Sequence, residues 1–340
     1  INIDDNHKFA LVKAIMLNTF FSKKESILLS EIFKLLKLES KFDLAAIKIQ
    51  DIKDLNSANK DCITFFHSKK YSKLAKSTKA SYCLTKDNLK EYLPSTCQSI
   101  IVENVLIATA LVTEKFYPDS TNDDYDTTVS EIEKTNFDKI KHGKNVLIGK
   151  NVKIGSNCQI GHNTIIEKNV HIGENCKIGS NTIIRNSIIK NNVTILDNCI
   201  IGKKGFGFFP NKEKNIRYPH IGIVLINENC EIGCGATIDR GSMSNTEIGK
   251  NTFLDNQIHI AHNVKIGANS IIAGQVGIAG SSIIGSNVRI GGQAGISGHL
   301  KIGDNVDIAG GSGVIKDIPS NTKVMGYPAK NIREFLRENK

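Results

Sequence analysis

Three residues in the second half of the chain carry the groups that acyl transfer needs. His262 stands in the stretch DNQIHIAHN (255–263), Gly280 follows it after 18 residues, and His299 follows it after 37. A histidine can act as a general base toward an amine or a hydroxyl, and a glycine N–H can stabilise the oxyanion that forms. These groups meet only if the chain folds back on itself at a matching interval.

The chain has such an interval, because a six-residue period begins at Ile148. Each unit has an aliphatic residue, a small residue, two polar residues, a second small residue and a variable one, as in IGKNVK, IGSNCQ, IGHNTI, IEKNVH, IGENCK and IGSNTI. The period slips by one residue near 184–188, is interrupted at about 206–222 and at 244–247, and continues to about Pro319. Repetition of this length predicts a parallel β-helix in which three hexads close one coil of about 18 residues.

The predicted β-helix brings the three candidate residues to one edge. Successive coils rise by about 4.8 Å, so residues 18 apart lie above one another. Gly280 then lies one coil above His262, and His299 lies two coils up and one position along. A base, a backbone N–H and a second polar group along one edge indicate acyl transfer.

The other histidines of the repeat have a plainer interpretation. A lone histidine at a corner is normally a solvated polar residue, and we predict this for His142, His162 and His171. Zinc binding by histidines of the prism is a further alternative. We predict no metal site, because the base, the glycine and the second histidine already complete a catalytic set.

Composition narrows the class of protein. The net charge of +10 suits an acidic partner, but the chain has no finger, RRM or helix-turn-helix signature, so we predict no nucleic-acid partner. It has no run of about 20 apolar residues that would predict a transmembrane segment. The 8 cysteines form no CxxC pair and mostly replace small residues of the hexads, so we predict reduced thiols and a cytoplasmic protein.

The pattern predicts a mainly β fold with three parts. Residues 1–128 predict a small N-terminal α/β domain, 129–322 the β-helix of hexapeptide repeats, and 323–340 a short helical tail. In the first domain we predict a helix over 26–40, strands over 63–68, 81–85 and 99–104, and a helical stretch over 69–77. The tail is predicted as a helix over 328–340 with Arg333 and Arg337 on one face.

Several segments together resemble one family of acyltransferases. They are the hexads at 148–319, ITFFHSKKY (63–71), GFGFFP (205–210), TIDRG (237–241), DNQIHIAHN (255–263) and ISGHLKIG (296–303). In this combination the chain resembles the UDP-3-O-(3-hydroxyacyl)glucosamine N-acyltransferases of lipid A biosynthesis. The resemblance implies a left-handed β-helix and a homotrimer with sites between subunits. It also implies transfer of a 3-hydroxyacyl chain from acyl carrier protein to the 2-amine of UDP-3-O-(3-hydroxyacyl)glucosamine, with no cofactor beyond the carrier's phosphopantetheine thioester.

The same resemblance implies roles for individual residues. His262 matches the general base and Gly280 the oxyanion donor, while His299 matches a histidine that contacts the acceptor near its phosphates. Phe65 and Tyr71 match an aromatic pair that holds uracil, which is chemically sensible because ring faces stack on bases.

Three further residues have a role by resemblance and a structural alternative. Asp255 precedes the base and either orients the site or caps a turn. Phe206 and Phe208 lie on a loop that flanks the groove, where they either face the substrate or pack within the long insertion.

Two positions depart from the family pattern. Ser68 stands where relatives usually carry Asn in the uracil pocket, and His259 stands where many carry Gln. We expect His259 to be dispensable or to shape the groove.

The sequence HIAH resembles the related UDP-N-acetylglucosamine O-acyltransferases, which lack an N-terminal domain of this size and have a longer helical C-terminal region. The N-acyl interpretation is therefore preferred over the O-acyl one, a non-catalytic hexapeptide scaffold, and an acetyl-CoA-dependent sugar acetyltransferase.

Two hypotheses concern the C-terminal part. The basic helix with Arg333 and Arg337 docks the acidic carrier protein. Gly310, Gly311 and Gly313 lie on a face that walls an acyl groove from a neighbouring subunit, and their small size predicts acceptance of long acyl chains.

Overall fold

The hexads wind into a three-sided β-helix, and most of the preceding residues fold as a separate unit. The computed structural model describes residues 20–39, 44–132, 137, 140–210 and 215–338. The first compact unit comprises Ile1–Asn122 and Gly207–Ile221, and the second comprises Asp123–Phe206 and Gly222–Lys340.

The first unit is built on a small parallel sheet. Its strands are, in spatial order, Asp51–Ile52, Cys62–Phe66, Tyr82–Thr85 and Gln98–Ile101. The helices are Leu29–Leu35, Ser72–Lys76 and Val105–Phe116, with 3-10 turns at Lys69–Tyr71 and Asp87–Tyr92. Two antiparallel pairs complete the unit: Ile27–Leu28 with Lys48–Ile49, and Phe208–Phe209 with Ile216–Arg217.

Most predicted elements of this unit are confirmed, with two differences. The helix predicted over 26–40 is only Leu29–Leu35, because Ile27 and Leu28 pair with another strand. The helix Val105–Phe116 was not predicted: its sequence VLIATALVTEKF is apolar on several sides and has no amphipathic period. Asn104 caps it, because its Oδ1 accepts hydrogen bonds from the N–H groups of Leu106 and Ile107.

The second unit is the parallel β-helix that the hexads predict, with the left-handed coil that the family resemblance implies. The strands of its first face are Ser130–Glu131, Leu147–Ile148, Ile165–Ile166, Ile183–Ile184, Ile200–Lys204, Thr237–Arg240, His259–Ile260, Gly277–Ile278, Gly295–Ile296 and Gly313–Val314. Those of its second face are Lys141–His142, Gln159–Ile160, Lys177–Ile178, Thr194–Ile195, Glu231–Ile232, Phe253–Leu254, Ile271–Ile272, Arg289–Ile290, Asp307–Ile308, Lys323–Met325 and Lys330–Asn331. Those of its third face are Lys153–Ile154, His171–Ile172, Ser187–Ile189, Val224–Ile226, Thr246–Ile248, Lys265–Ile266, Ile283–Ile284 and Lys301–Ile302.

The strand register confirms the column rule. His259 pairs with Gly277 and Gly277 with Gly295, each 18 residues on, whereas His171 pairs with Ile188 because of the one-residue slip. The inward aliphatic residue of nearly every hexad is buried, with Ile154 only partly so, and full burial of such a side chain stabilises by about 1.5–3 kcal/mol. All 8 cysteines are free, and seven are buried.

The fourth residue of most hexads has a left-handed backbone, which explains the frequent asparagine there. Asn163 and Asn181 have φ of 56° and 55°, and Gln257 has 57°. Asparagine tolerates this region better than most residues with a Cβ. The side chains also form ladders along the edges, as when Asn145 Nδ2 donates to Asn163 Oδ1 at 3.0 Å.

The coil extends slightly beyond the hexads recognised in the sequence. Lys141–His142 already pairs in parallel with Gln159–Ile160, and Lys323–Met325 pairs with Asp307–Ile308. The tail helix is Ile332–Glu338, shorter than predicted, since Lys330 and Asn331 form a strand. Residues 339–340 of the predicted helix lie outside the described part of the chain. None of the helices in the described segments is long and apolar enough to cross a membrane.

Candidate active site

His262 lies at the edge between the first and third faces, directly after the strand His259–Ile260. Its Nδ1 is 2.9 Å from Oδ1 of Asn263, the next residue, which has a left-handed backbone with φ of 62°. The side chain is neither buried nor fully exposed. The corner therefore presents the imidazole to the surface while a neighbouring amide holds it.

Asn263 is itself fixed by two serines, and this decides the tautomer of the histidine. Its Nδ2 donates to the carbonyl oxygen of Ser244 at 2.8 Å, and its Oδ1 accepts from the N–H of Ser242 at 3.1 Å. Since a carbonyl only accepts and an N–H only donates, the amide has one orientation. Oδ1 faces Nδ1 of His262, so Nδ1 carries the proton and Nε2 carries the lone pair.

Gly280 lies against this imidazole. A Cβ built on Gly280 would fall 2.7 Å from both Nε2 and Cε1 of His262. Within the described part of the chain no group accepts a hydrogen bond from the Gly280 N–H. By contrast, the N–H groups of Gly274 and Ser286, at the same hexad position on other edges, donate to carboxylates. Gly280 thus lies against the imidazole, and its N–H is left without a partner among the described residues.

His299 continues the same edge. Its N–H donates to the Gly280 carbonyl at 3.0 Å, and its backbone is left-handed with φ of 61°. The residue is exposed and stands one position along from the column of His262 and Gly280, as the register predicted. His299 is not among the residues that line the pocket on the first face around His262.

An open pocket of about 610 Å³ on the first face contains the imidazole of His262. A column of glycines forms its floor: Gly277, Gly295 and Gly313. A Cβ on Gly277 or Gly295 would meet nothing within 4 Å, whereas one on Gly313 would overlap the ring of Tyr327. The trough therefore runs from His262 to Tyr327.

Only one of the three glycines proposed from the sequence belongs to this trough. Gly313 does, but Gly310 and Gly311 lie at the corner after Asp307–Ile308, on the edge where the second face turns into the first. Gly277 and Gly295 were missed, although the 18-residue column through Gly313 contains both.

The pocket also contains His259, and beside it a carboxyl group that the sequence did not single out. His259 Nδ1 is 2.8 Å from Thr237 Oγ1, and its Nε2 is 3.9 Å from Asp239 Oδ2. Burial raises the pKa of Asp239 to about 7, and burial lowers the pKa of His259. Asp239 is part of the TIDRG segment, but its closeness to His259 depends on a 22-residue register that the insertion at 244–247 disguises.

Charged residues are buried along the same edge, below the pocket. Arg240, 2% exposed, is 3.3 Å from Asp123, and Arg185 is 3.6 Å from the same carboxylate. Lys203 approaches the other oxygen of Asp123 at 2.7 Å. Burial opposes ionisation of Asp123, but the hydrogen bond from Lys203 and the nearby arginines hold its pKa below the usual value. This cluster ties the beginning of the second unit to the coils under the site.

The remaining predicted residues occupy other places. Asp255 lies on the edge between the second and first faces, where its Oδ2 accepts from the N–H of Gly274 at 3.0 Å, a turn-capping contact. Phe206 lines the pocket and is 76% exposed. Phe208 belongs to the hairpin of the first unit.

Phe65 and Tyr71 come together in the first unit around a third ring. His67 stacks on Phe65 with 6.5 Å between ring centroids and 19° between planes, and lies 5.4 Å from Tyr71. All three side chains are partly exposed. Ser68 Oγ accepts from the N–H of Lys70 at 3.4 Å, so this residue caps the following turn. Across the described residues, no group of three or more His, Cys, Asp or Glu side chains could hold a metal ion.

Comparisons with known proteins agree with the resemblance seen in the sequence. A family model described as UDP-3-O-(3-hydroxymyristoyl) glucosamine N-acyltransferase matches residues 46–115. A bacterial transferase hexapeptide model of six repeats matches 245–280, and a model of the GMPPB C-terminal domain matches 142–205. The acyltransferase model thus matches a segment of the first unit, outside the hexapeptide repeats.

Matches over more than half of the chain point the same way. UDP-3-O-acylglucosamine N-acyltransferase 2 of Legionella pneumophila is 37% identical over 220 residues, or 64% of this chain; the match covers 64% of that protein, so the chain spans less than two thirds of its length. Among solved structures, a UDP-N-acetylglucosamine acyltransferase of Francisella novicida superposes with a TM-score of 0.51 and 26% identity, over 58% of this chain and 73% of that one. The UDP-3-O-acylglucosamine N-acyltransferase of Helicobacter pylori is 34% identical over 249 residues, 69% of both chains. By this match, the chain belongs to the family of UDP-3-O-acylglucosamine N-acyltransferases.

Proposed function

We propose that this protein transfers a 3-hydroxyacyl chain from acyl carrier protein to the 2-amine of UDP-3-O-(3-hydroxyacyl)glucosamine, with His262 as the general base. One observation carries the proposal: Asn263 holds His262 as the tautomer with a lone pair on Nε2, and Gly280, whose N–H has no partner among the described residues, lies against that imidazole at the head of a trough. These are the groups that amine attack on a thioester needs.

The reaction proceeds in one displacement through a tetrahedral intermediate. The amine nitrogen attacks the thioester carbonyl, its proton passes to Nε2 of His262, and a C–N bond forms. The carbonyl oxygen becomes an oxyanion that accepts a hydrogen bond from the Gly280 N–H. When the intermediate collapses, the C–S bond breaks and the carrier thiolate takes the proton from the imidazolium. The base is then neutral again, and no covalent enzyme intermediate or further cofactor is needed.

The substrate contacts follow from the positions of the other residues. The glycine trough leading to Tyr327 takes the acyl chain, because a surface without side chains leaves room for it. Phe65 and Tyr71 hold the uracil ring, and His299 contacts the diphosphate. Exposed Arg333 and Arg337 on the tail helix dock the acidic carrier protein.

The assembly and compartment are part of the same proposal. A homotrimer supplies the second wall that an open pocket on one face requires. Phe253 and Ile271, neighbours on the second face, are 42% and 55% exposed and offer an apolar contact surface. Free cysteines suit the reducing cytoplasm.

The experiment is an assay with UDP-3-O-acylglucosamine and a 3-hydroxyacyl carrier thioester, with the product followed by mass spectrometry. We expect His262→Ala to lower kcat by about 10²–10⁴-fold, the contribution of a positioned base. The matched control is His171→Ala, a histidine of the repeat away from the pocket. An inactive wild type, or an active His262→Ala variant, would overturn the proposal.

A second candidate function is O-acylation of UDP-N-acetylglucosamine. Two observations favour it. His259 completes the sequence HIAH, which resembles those enzymes, and the chain superposes on the Francisella novicida UDP-N-acetylglucosamine acyltransferase. The same assay with UDP-N-acetylglucosamine as acceptor separates the two. We expect turnover only with the free 2-amine.

A further inference from the structure

The carboxyl group of Asp239 is buried in an unusual way. The residue is 9% exposed, yet within the described segments it accepts no hydrogen bond. The nearest ring nitrogen is Nε2 of His259 at 3.9 Å. Buried polar groups in proteins nearly always have hydrogen-bond partners, so a carboxylate without one beside a pocket indicates a place for a ligand group.

The imidazole of His259 lies with its Nε2 toward this carboxyl group. Its Nδ1 lies 2.8 Å from Thr237 Oγ1. A carboxylate near Nε2 favours the tautomer with the proton on Nε2, which makes the threonine hydroxyl the donor to Nδ1. The pair therefore consists of one donor, Nε2–H, and one acceptor, Oδ2 of Asp239.

The gap between donor and acceptor fits a single oxygen atom. At 3.9 Å the two atoms are too far apart for a direct hydrogen bond, which requires about 2.7–3.2 Å. An oxygen atom placed about 2.8 Å from both Nε2 and Oδ2 would form an angle of about 90° between its two contacts. This angle is within the range for one atom that both accepts and donates a hydrogen bond. A hydroxyl group meets this requirement.

The gap also lies beside the pocket that contains His262. His259 lines the same pocket as His262, three residues before it across one corner, and stands directly next to Gly277 in the floor column. We propose that Nε2–H of His259 and the carboxyl group of Asp239, through its Oδ2, form a hydroxyl-binding subsite that positions one substrate hydroxyl beside the base. This inference rests on the proposed function, which supplies hydroxyl groups on both the acyl donor and the acceptor sugar.

The test compares substrates with and without each hydroxyl. The donor pair is a 3-hydroxyacyl carrier thioester and the unsubstituted acyl thioester of equal length. The acceptor set is UDP-3-O-acylglucosamine and its 4-deoxy and 6-deoxy analogues. For the wild type we expect kcat/KM to fall about tenfold to a hundredfold when the recognised hydroxyl is removed, the effect of one hydrogen-bonded pair.

The variants decide whether His259 reads that hydroxyl. His259→Phe should lower kcat/KM for the hydroxylated substrate and abolish the preference for one hydroxyl only, while His259→Gln, which keeps an N–H donor, should retain part of it. The matched control is His171→Phe, because His171 has the same hexad position on the third face. Loss of the donor preference assigns the acyl 3-hydroxyl, and loss of an acceptor preference assigns the sugar. If His259→Phe keeps every preference, or slows all substrates equally, the inference is overturned. A wild type without any turnover would overturn the proposed function and this inference together.

Discussion

The Cα of Gly280 lies so close to the imidazole of His262 that a methyl group there would fall 2.7 Å from Nε2. The two residues are 18 apart, one above the other on a single edge of the prism. The contact explains why this position is a glycine, and it links the proposed base directly to the proposed oxyanion donor.

Gly280→Ala should therefore damage catalysis more than folding. The new methyl group pushes the imidazole away from its position, and we expect kcat to fall by about tenfold to a hundredfold, since small displacements of a catalytic group are costly. The free energy of unfolding should change by less than about 1 kcal/mol, because a side chain at the surface can move. Steady-state kinetics and thermal unfolding measure the two effects.

The control for this variant is Gly292→Ala. Gly292 has the same hexad position on another edge, and its added Cβ would lie 3.2 Å from a carbonyl oxygen, with no histidine nearby. Equal losses of kcat in the two variants would show that the effect belongs to the corner and not to the base.

The amide of Asn263 should also affect the rate, because it holds the imidazole of His262. Asn263→Gly keeps the left-handed backbone without strain but removes the acceptor that holds the proton on Nδ1 of His262. We expect kcat to fall about tenfold or more with KM nearly unchanged. Stability should drop by about 1–3 kcal/mol, because Ser244 loses a donor and Ser242 an acceptor.

Asn287→Gly separates the catalytic effect from the structural one. Asn287 has the same hexad position and a φ of 57°, and its side chain bonds only within an asparagine ladder. It should lose stability but not activity. Unchanged kcat in Asn263→Gly would refute the assignment of the tautomer.

Stability should depend on pH through Asp239. Burial raises the pKa of this carboxyl from 3.8 to about 7 in the folded protein. Between about pH 4 and 7 the unfolded chain loses this proton while the folded chain keeps it, so this group's contribution to stability falls as pH rises and is lost above about pH 7. Asp239→Asn cannot titrate. The unfolding free energy of the variant minus that of the wild type should therefore rise by about 2–4 kcal/mol from pH 4 to pH 8.

Denaturant unfolding of both proteins from pH 4 to pH 8 measures this difference in unfolding free energy. All other carboxyl groups titrate in both proteins and cancel in the difference. Parallel stability curves would mean that Asp239 ionises normally in the folded state.

How much of this could be predicted depends on how far a feature repeats. The column of His262 and Gly280 follows from counting 18 residues, because the coils at the site keep this register. Asp239 and His259 are 20 residues apart across an irregular loop, and the strand pairing there is shifted to 22 residues, so no period reveals their closeness. Asn263 fills the usual asparagine position of a hexad, and only its contacts with Ser242 and Ser244 show that it does more than form a turn.

The first unit shows the same limit. Its strands were predictable from apolar runs bounded by polar residues, and Phe65 and Tyr71 were found by resemblance. His67, which lies between their rings, has no repeat or motif that would single it out. The helix Val105–Phe116 was missed because burial on several sides removes the period that marks a helix.

The aromatic cluster of the first unit should govern the affinity for the nucleotide. Phe65→Leu and Tyr71→Leu each remove one stacking surface, and we expect KM for the UDP-sugar to rise about fivefold to a hundredfold with little change in kcat, since base stacking on an aromatic ring contributes about 1–3 kcal/mol. The control is Tyr125→Leu, an aromatic residue that is 79% exposed in the second unit. A fall in kcat at constant KM would contradict uracil binding by this cluster.

The tail helix Ile332–Glu338 exposes both of its arginines, which makes it a candidate docking surface for the carrier protein. If they dock an acidic carrier, the double variant Arg333→Glu/Arg337→Glu should raise KM for the acyl carrier about tenfold or more at low salt, while KM for the UDP-sugar stays constant. Added salt should weaken carrier binding to the wild type and affect the variant less, since exposed charges are screened over about 10 Å at 0.1 M ionic strength. Lys144→Glu/Lys250→Glu makes the same change of charge at two exposed corners of the β-helix and should leave carrier kinetics intact. Carrier binding that is insensitive to salt, or equal losses in both double variants, would show that the helix is not the docking surface and that only net charge matters.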